Sequence, residues 1–186
     1  ILFLLILIPI NIKAIDTSAT SSILMDIDSN RILYEENIHN VRSVASISKI
    51  MTAVIAIESG KLDDKATIGS EISKSYGSGI YIKEGEVLTL RDLLYGMMLR
   101  SGNDAAYLIS ISVSNTLDEF VLLMNKTAKK IKMYNSYFEN PSGLDETTKN
   151  ISTAYDMALL MSYAMKNETF RKIVSTSSYN CTTIDN

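Results

Sequence analysis

A serine lies three residues before a lysine in the segment Ser46-Ile47-Ser48-Lys49, at the start of a strongly amphipathic stretch. Apolar side chains follow at helical spacing, at Ile47, Ile50, Met51, Val54 and Ile55. Gly60 then supplies a signal for the end of a helix. The pattern predicts a helix with Ser46 at or near its N-terminus and Lys49 one turn later on the same face.

This placement can make Ser46 an activated nucleophile. A serine hydroxyl is a weak nucleophile until a base takes its proton, and a lysine is a base only when neutral, although its reference pKa is about 10.4. Burial and the positive end of a helix both disfavour the ammonium form, so both lower the pKa of Lys49. Free N–H groups at the same helix end can donate to a developing oxyanion. The alternative reading of so short a motif is a surface serine that caps a helix carrying an exposed lysine.

A second polar element, Ser101-Gly102-Asn103, follows downstream. The segment before it has a capping-box pattern at Thr89 and Asp92 and one apolar face, which predicts a helix over residues 89–99. Gly102 interrupts that pattern, and a new helix is expected to begin near Asp104. Ser101 and Asn103 are therefore predicted to lie on a loop between two helices, where functional side chains are common.

These segments together resemble the serine D-alanyl-D-alanine carboxypeptidases, which are low-molecular-mass penicillin-binding proteins. The family combines Ser-x-x-Lys, a Ser-x-Asn element and Lys-Thr-Gly. The likeness runs from about residue 20 to the end and includes residues 82–90, 140–146 and 152–160. One difference lies beside the nucleophile motif, where the family has proline and this chain has Val44.

The resemblance implies a serine-type DD-carboxypeptidase that removes the terminal D-alanine from the peptidoglycan pentapeptide through an acyl-enzyme on Ser46. Lys49 would take the proton of Ser46, and Ser101 would carry a proton to the leaving nitrogen. Asn103 would orient Lys49 or the substrate amide. The resemblance implies no cofactor and no metal, and it implies that β-lactam antibiotics acylate the same serine.

The third motif of the family, Lys-Thr-Gly or Lys-Ser-Gly, does not occur in these 186 residues. In the family it lies on a later sheet strand, so we expect this chain to be incomplete at its C-terminus and inactive as given. A class A-like β-lactamase and a non-catalytic cell-wall-binding remnant stay open as alternatives. The resemblance also leaves open an association with the membrane through an anchor beyond Asn186.

The N-terminus predicts an exported protein. Residues 1–10 are almost wholly apolar, but they are too few to span a bilayer, which takes about 20 residues. They suit the core of a signal peptide with cleavage after Ala14 or Ala19, so residues 1–19 are predicted to be a signal-peptide remnant of an extracytoplasmic protein. A buried strand or helix, or an uncleaved anchor, is the alternative.

Residues 20–186 are predicted to form one DD-peptidase catalytic domain. Hydrophobic residues make up 46% of the chain, with only 8 Gly and 2 Pro, which indicates a folded core. The net charge of −3 and pI near 5.2 argue against nucleic acid as a partner. Cys181 is the single cysteine of the chain, and with one histidine it gives no basis for a zinc site.

The fold class implied by the resemblance is mixed α/β, with an antiparallel sheet beside a helical cluster and the active site between them. We expect this chain to hold the first hairpin, the helical cluster and a turn at residues 140–143, with the later sheet strands missing. The hairpin strands are predicted at residues 22–26 and 31–35, on either side of a polar turn. Apolar spacing and capping patterns predict further helices over residues 104–112, 116–132, 152–165 and 169–175.

Overall fold

The computed structural model describes residues 17–145 and 149–184. The predicted signal-peptide remnant, residues 1–19, lies almost entirely outside the described residues. Within them the chain has a mixed α/β architecture. The strands are β1 (Ser22–Met25), β2 (Ile32–Glu36), β3 (Arg42–Ser43), β4 (Lys65–Thr67), β5 (Val87–Thr89) and β6 (Ile151–Ser152). The helices are α1 (Lys49–Glu58), α2 (Leu90–Arg100), α3 (Asn103–Ser114), α4 (Leu117–Lys130), α5 (Ala154–Met165) and α6 (Glu168–Val174).

The predicted first hairpin is confirmed, with each strand within one residue of its expected ends. Strands β1 and β2 pair in antiparallel fashion, with Ser22 opposite Glu36. The connecting turn closes through the Asp26 carboxylate, which accepts a 2.8 Å hydrogen bond from the Ser29 N–H. Asn30 takes the positive φ that the turn needs, which asparagine tolerates better than most residues.

The other strands form two short pairs, β3 with β6 and β4 with β5, both antiparallel. Arg42 and Ser43, which follow the hairpin, pair with Ser152 and Ile151, although the sequence predicts no strand at either place. The predicted helix start at residue 152 is wrong for the same reason. Thr153 instead caps α5, its side chain accepting from the Asp156 N–H. The β3–β6 pair brings the chain around residue 150 beside the segment that leads to Ser46.

Capping side chains start the helices largely where the sequence predicts. The Thr89–Asp92 capping box at α2 is present in both directions. Thr116 caps α4 by accepting from the Glu119 N–H. Helix α4 ends at Lys130, two residues earlier than predicted, and α3 ends at Ser114, two residues later.

Helix α1 occupies the centre of the core and packs against each of the other five described helices. Met51, Ala53 and Ala56 on α1 are completely buried. Met97 and Met124 are also completely buried, and Met98 and Met157 are partly buried against this core. Met161 lies on the outer side of α5 and is 39% exposed.

Within residues 17–145 and 149–184, no single helix has both the length and the apolar composition of a membrane span. Helices α3 and α4 meet these two criteria only as a pair, and the chain bends by 88° between them.

Candidate active site

Ser46 lies on a single 3₁₀ turn, Ala45–Ser48, that leads directly into α1. The sequence places it at the helix N-terminus, and the structure confirms this position with one tight turn ahead of the α-helix. Ser46 is exposed, and neither it nor Ser48 makes a side-chain capping hydrogen bond. The Ser48 hydroxyl instead donates to the Ala45 carbonyl at 2.6 Å and braces the turn. The Ser46 hydroxyl is thus open to an incoming molecule.

The Lys49 side chain is buried, which is rare for a lysine, and the residue is only 3% exposed. Its Nζ lies 3.3 Å from Ser46 Oγ, 2.8 Å from Asn103 Oδ1 and 2.7 Å from the Ser142 carbonyl oxygen. Burial lowers the pKa of Lys49 to about 8, and the negative charge of Asp104 partly opposes this effect. The alternative of an exposed lysine beside a capping serine is therefore wrong.

The three contacts around Lys49 define the direction of its lone pair. A neutral lysine amine has two N–H donors and one lone pair, whereas the ammonium has three donors. The amide oxygen of Asn103 and the carbonyl oxygen of Ser142 can only accept, so they take the two N–H groups. The third direction faces Ser46 Oγ. In its neutral form the amine is arranged to receive the hydroxyl proton.

Asn103 is the first residue of α3 rather than a loop residue, because Gly102 acts as the N-cap and the helix begins one residue earlier than expected. Its side-chain amide is held from both sides. Oδ1 accepts from Lys49, and Nδ2 donates to the Tyr76 carbonyl at 2.9 Å. These two contacts fix which end of the amide faces the lysine.

Ser101 lies where the sequence predicts, on the short connection between α2 and α3. It is the C-cap of α2 and has a left-handed backbone, with φ of 56°. Among the described residues its hydroxyl makes no hydrogen bond, either to Ser46 or to Lys49. Hydrogen bonds of Lys49 therefore connect Ser46 and Asn103 directly. Ser101 lies two residues before Asn103 in the chain and makes no hydrogen bond to any of these three residues.

The carbonyl of Ser142 is a site group that the sequence does not reveal. It belongs to the predicted turn at residues 140–143, which is confirmed. Asn140 Oδ1 accepts from the N–H groups of Ser142 and Gly143, at 3.1 and 2.6 Å. Asn150, which is fully buried, holds the start of the turn by donating its side-chain N–H to the Asn140 carbonyl at 2.9 Å. Every residue has a backbone carbonyl, so the sequence cannot mark one as part of a site. The sequence predicted only the turn at residues 140–143 that contains this carbonyl.

Gly143 lies so close to the 3₁₀ turn Ala45–Ser48 that no residue with a side chain would fit at its position. Its φ is +74°, and a Cβ placed on it would lie 1.8 Å from the Ala45 carbonyl oxygen. We expect Gly143→Ala to lower the free energy of unfolding by about 2–5 kcal/mol, from the left-handed backbone and overpacking together. The displaced turn should also slow covalent labelling at Ser46. Urea unfolding and a labelling time course measure the two effects.

Gly60 offers the matched control for that substitution. Its φ is +71°, but nothing lies within 4 Å of a Cβ placed there. Gly60→Ala should therefore cost only about 1–2 kcal/mol, from the backbone alone, and leave labelling unchanged. Equal losses in the two variants would show that the close approach of Gly143 to Ala45 is unimportant.

In residues 17–145 and 149–184, no three side chains of histidine, cysteine, aspartate or glutamate come together where they could hold a metal ion.

Two solved structures with similar folds define the class of protein. The D-alanyl-D-alanine carboxypeptidase DacD of Francisella tularensis matches with a TM-score of 0.80 at 36% identity, over 86% of this chain and 40% of that one. A mutant of a Streptomyces DD-transpeptidase matches with a TM-score of 0.84 at 30% identity, over 91% of this chain and 73% of that one. The chain thus has the DD-peptidase fold.

Sequence comparison identifies the family. The family model described as D-alanyl-D-alanine carboxypeptidase matches residues 9–186. Carboxypeptidase DacF of Bacillus subtilis is 35% identical over 163 residues, which cover 85% of this chain and 42% of that protein. The chain belongs to the D-alanyl-D-alanine carboxypeptidase family, and it spans less than half the length of the Bacillus subtilis relative.

Proposed function

We propose that this protein is a serine DD-carboxypeptidase that removes the terminal D-alanine from peptidoglycan stem peptides. The observation that carries the proposal is the buried Lys49 amine, held by two acceptors and facing Ser46 Oγ at 3.3 Å. A serine with an adjacent base of lowered pKa is the arrangement that nucleophilic catalysis requires. Membership of the family supplies the substrate class.

In the proposed mechanism, Ser46 Oγ attacks the carbonyl carbon between two D-alanines while Lys49 Nζ takes the hydroxyl proton. The carbon–nitrogen bond then breaks, and the leaving D-alanine nitrogen gains a proton. Water hydrolyses the resulting ester and releases the shortened peptide. Among the described residues the Ser46 backbone N–H donates no hydrogen bond, so it is free to donate to the oxyanion.

Asn103 and Ser101 have supporting roles in this proposal. Asn103 keeps Lys49 oriented through the 2.8 Å hydrogen bond to its amide oxygen. We assign Ser101 the transfer of a proton to the leaving nitrogen. Its hydroxyl has no hydrogen-bond partner among the described residues, which leaves it available to a bound substrate; catalytic hydrogen bonds often form only in the substrate complex.

The rate of acylation should depend on pH through Lys49. Only the neutral amine accepts a proton, and burial lowers its pKa from 10.5 to about 8. The acylation rate should therefore rise as the pH increases and reach half its plateau near pH 8. Pre-steady-state labelling with a fluorescent penicillin between pH 5 and 10 measures this curve. A rate that is flat above pH 6 would show that the base has a different identity.

Two properties of the whole protein extend the proposal. We propose that it acts outside the cytoplasm, because residues 1–10 have the composition of a signal-peptide core. We also propose that β-lactam antibiotics acylate Ser46. A membrane anchor beyond Asn186 and the absence of cofactors stay expectations from the family resemblance. The absence of nucleic acid partners stays an expectation from the composition.

No specific observation favours the β-lactamase alternative. Residues 146–150 match the Glu-x-x-x-Asn pattern that supplies the deacylating glutamate in class A β-lactamases. Asn150, however, uses its side-chain amide to hold the backbone of Glu139 and Asn140, and Glu146 lies outside the described residues. The non-catalytic alternative is disfavoured by the burial of Lys49, since burying an amine that does no chemistry only costs stability.

One experiment separates the three functions. The full-length protein, extended beyond Asn186, is incubated with a labelled penicillin and, in parallel, with a diacylated peptide ending in Lys-D-Ala-D-Ala. A carboxypeptidase keeps the label for many minutes and releases D-alanine. A β-lactamase loses the label within seconds, and a non-catalytic protein neither takes the label nor releases D-alanine. Either of the last two outcomes would overturn the proposal.

A further inference from the structure

We infer that Asp104 is a positioning residue that fastens residues 76–82, here called the 76–82 loop, against Asn103, whose side-chain amide in turn holds Lys49. The inference concerns the same site as the proposed function and rests on it for its kinetic part. Its structural part, the attachment of the loop, stands independently of any activity.

The carboxylate of Asp104 receives an unusual set of backbone donors. Oδ2 accepts from the N–H groups of Ile80 at 3.0 Å and Tyr81 at 2.9 Å, with Ile82 more distant at 3.4 Å. Oδ1 accepts from Ala105 at 2.8 Å. Asp104 is 7% exposed, so these charge-assisted bonds form away from bulk water, where they are strong. An aspartate in the first turn of a helix commonly faces solvent, but this one faces a loop 22–24 residues earlier in the chain.

Glycines make this contact possible on both sides. A Cβ on Gly79 would lie 2.8 Å from Asp104 Oδ2, and a Cβ on Gly102 would lie 2.9 Å from Oδ1. A Cβ on Gly77 would lie 2.8 Å from the side-chain nitrogen of Asn103. The 76–82 loop therefore approaches the Asn103–Asp104 pair at distances that other residues would not permit.

Tyr81 adds evidence that the loop is held under strain. Its φ is +60°, a left-handed conformation that is unfavourable for a bulky residue. Its ring is 78% exposed, so side-chain packing does not compensate for this conformation. The 2.9 Å hydrogen bond from its N–H to Asp104 is the contact that holds it. Such strain persists where the surroundings over-determine the backbone, often at functional sites.

The loop is in turn connected to the lysine. The Asn103 N–H donates to the Ser78 carbonyl at 2.7 Å, and Asn103 Nδ2 donates to the Tyr76 carbonyl. The other end of the same amide accepts from Lys49. If Asp104 released the loop, Asn103 would lose the contacts that orient its amide toward Lys49.

Asp104 also acts on Lys49 through its charge. Its carboxylate raises the pKa of Lys49 against the larger lowering by burial. The 76–82 loop carries no carboxylate and no amine, and the 140–143 turn carries no ionisable side chain. Removing the Asp104 charge should therefore favour the neutral amine at lower pH.

The test is Asp104→Asn in the full protein, with two readouts. Hydrogen exchange of a peptide covering the 76–82 loop should accelerate at least about tenfold, because its N–H groups lose a charged acceptor. The acid limb of penicillin acylation should move to lower pH while the plateau rate falls. A purely structural role would reduce the amount of active protein but leave the position of the acid limb unchanged.

Asp92→Asn is the matched control, because Asp92 is also a first-turn helix carboxylate. It caps α2 and accepts from the Tyr179 hydroxyl, but among the described residues it accepts no hydrogen bond from the 76–82 loop. It should change neither the exchange of the 76–82 loop nor the position of the acid limb. Gly79→Ala is the second variant. It displaces the Asp104 carboxylate without removing its charge, so loop exchange should accelerate and the plateau fall while the acid limb keeps its position.

Normal loop protection in both Asp104→Asn and Gly79→Ala would overturn the inference. If Asp104→Asn does not fold, the hydrogen exchange of the 76–82 loop in Gly79→Ala tests the inference alone: faster exchange supports it, and normal exchange overturns it. If the wild-type protein is not acylated at all, the proposed function fails, but the exchange measurements still decide whether Asp104 holds the loop.

Discussion

Replacing Ser46 with alanine is expected to abolish covalent labelling by a penicillin, because no oxygen remains at that position to form the ester. The fold should be kept, since Ser46 is exposed and its side chain caps no helix. Gel fluorescence after incubation with a labelled penicillin measures the result, and circular dichroism checks the fold.

Ser178→Ala is the control for that substitution. Ser178 belongs to the second Ser-x-Asn pattern of the chain, to which we assign no role, and it lies on the exposed segment after α6. Its loss should leave labelling intact. Labelling that persists in Ser46→Ala at another serine, such as Ser48, would refute the assignment of the nucleophile.

Replacing Lys49 with arginine is expected to reduce the acylation rate at least about 100-fold, the usual scale for the loss of a general base. Arginine keeps the positive charge, but it stays protonated at any working pH and cannot accept the Ser46 proton. Stopped-flow or quenched labelling measures the rate constant, and a parallel thermal unfolding curve measures stability.

Lys61→Arg is a matched control, because Lys61 Nζ also donates to a backbone carbonyl, that of Val113, at 3.2 Å. It lies at the other end of α1, so its replacement should not change the acylation rate. A Lys49→Arg variant that acylates within a few fold of the wild type would mean that the Ser46 proton goes to another group.

The pairing of Ser46 with Lys49 was predictable because the relationship between these two residues is local. Ser46 and Lys49 are three residues apart, and helical periodicity alone places them on one face. The sequence identified Asn103 as a candidate site residue but not its position at the start of α3. That helix start at Gly102 depends on how the 76–82 loop packs, which the sequence does not show. The carbonyl of Ser142 could not be predicted, since any residue carries a carbonyl and this one lies 93 positions from Lys49.

The same distinction between local and distant interactions explains the fold. The helix starts at Thr89 and Thr116 follow from capping patterns that act within four residues. The β3–β6 pair does not follow from any pattern, because two-residue strands have no periodicity to detect. The amphipathic pattern of α1 correctly predicted where the helix lies in the chain. It did not predict that the helix is buried on nearly all sides at the centre of the core.

The two acceptors of Lys49 lie 54 and 93 positions further along the chain. A peptide corresponding to α1 alone contains both the serine and the lysine, yet its amine would keep the basicity of a free lysine and its hydroxyl would be inert. In the proposed mechanism the basicity of Lys49 is therefore a property of the tertiary structure, and its set of contacts is complete only when the 140–143 turn docks. We expect penicillin labelling of the full-length protein to begin during refolding only after this turn has docked.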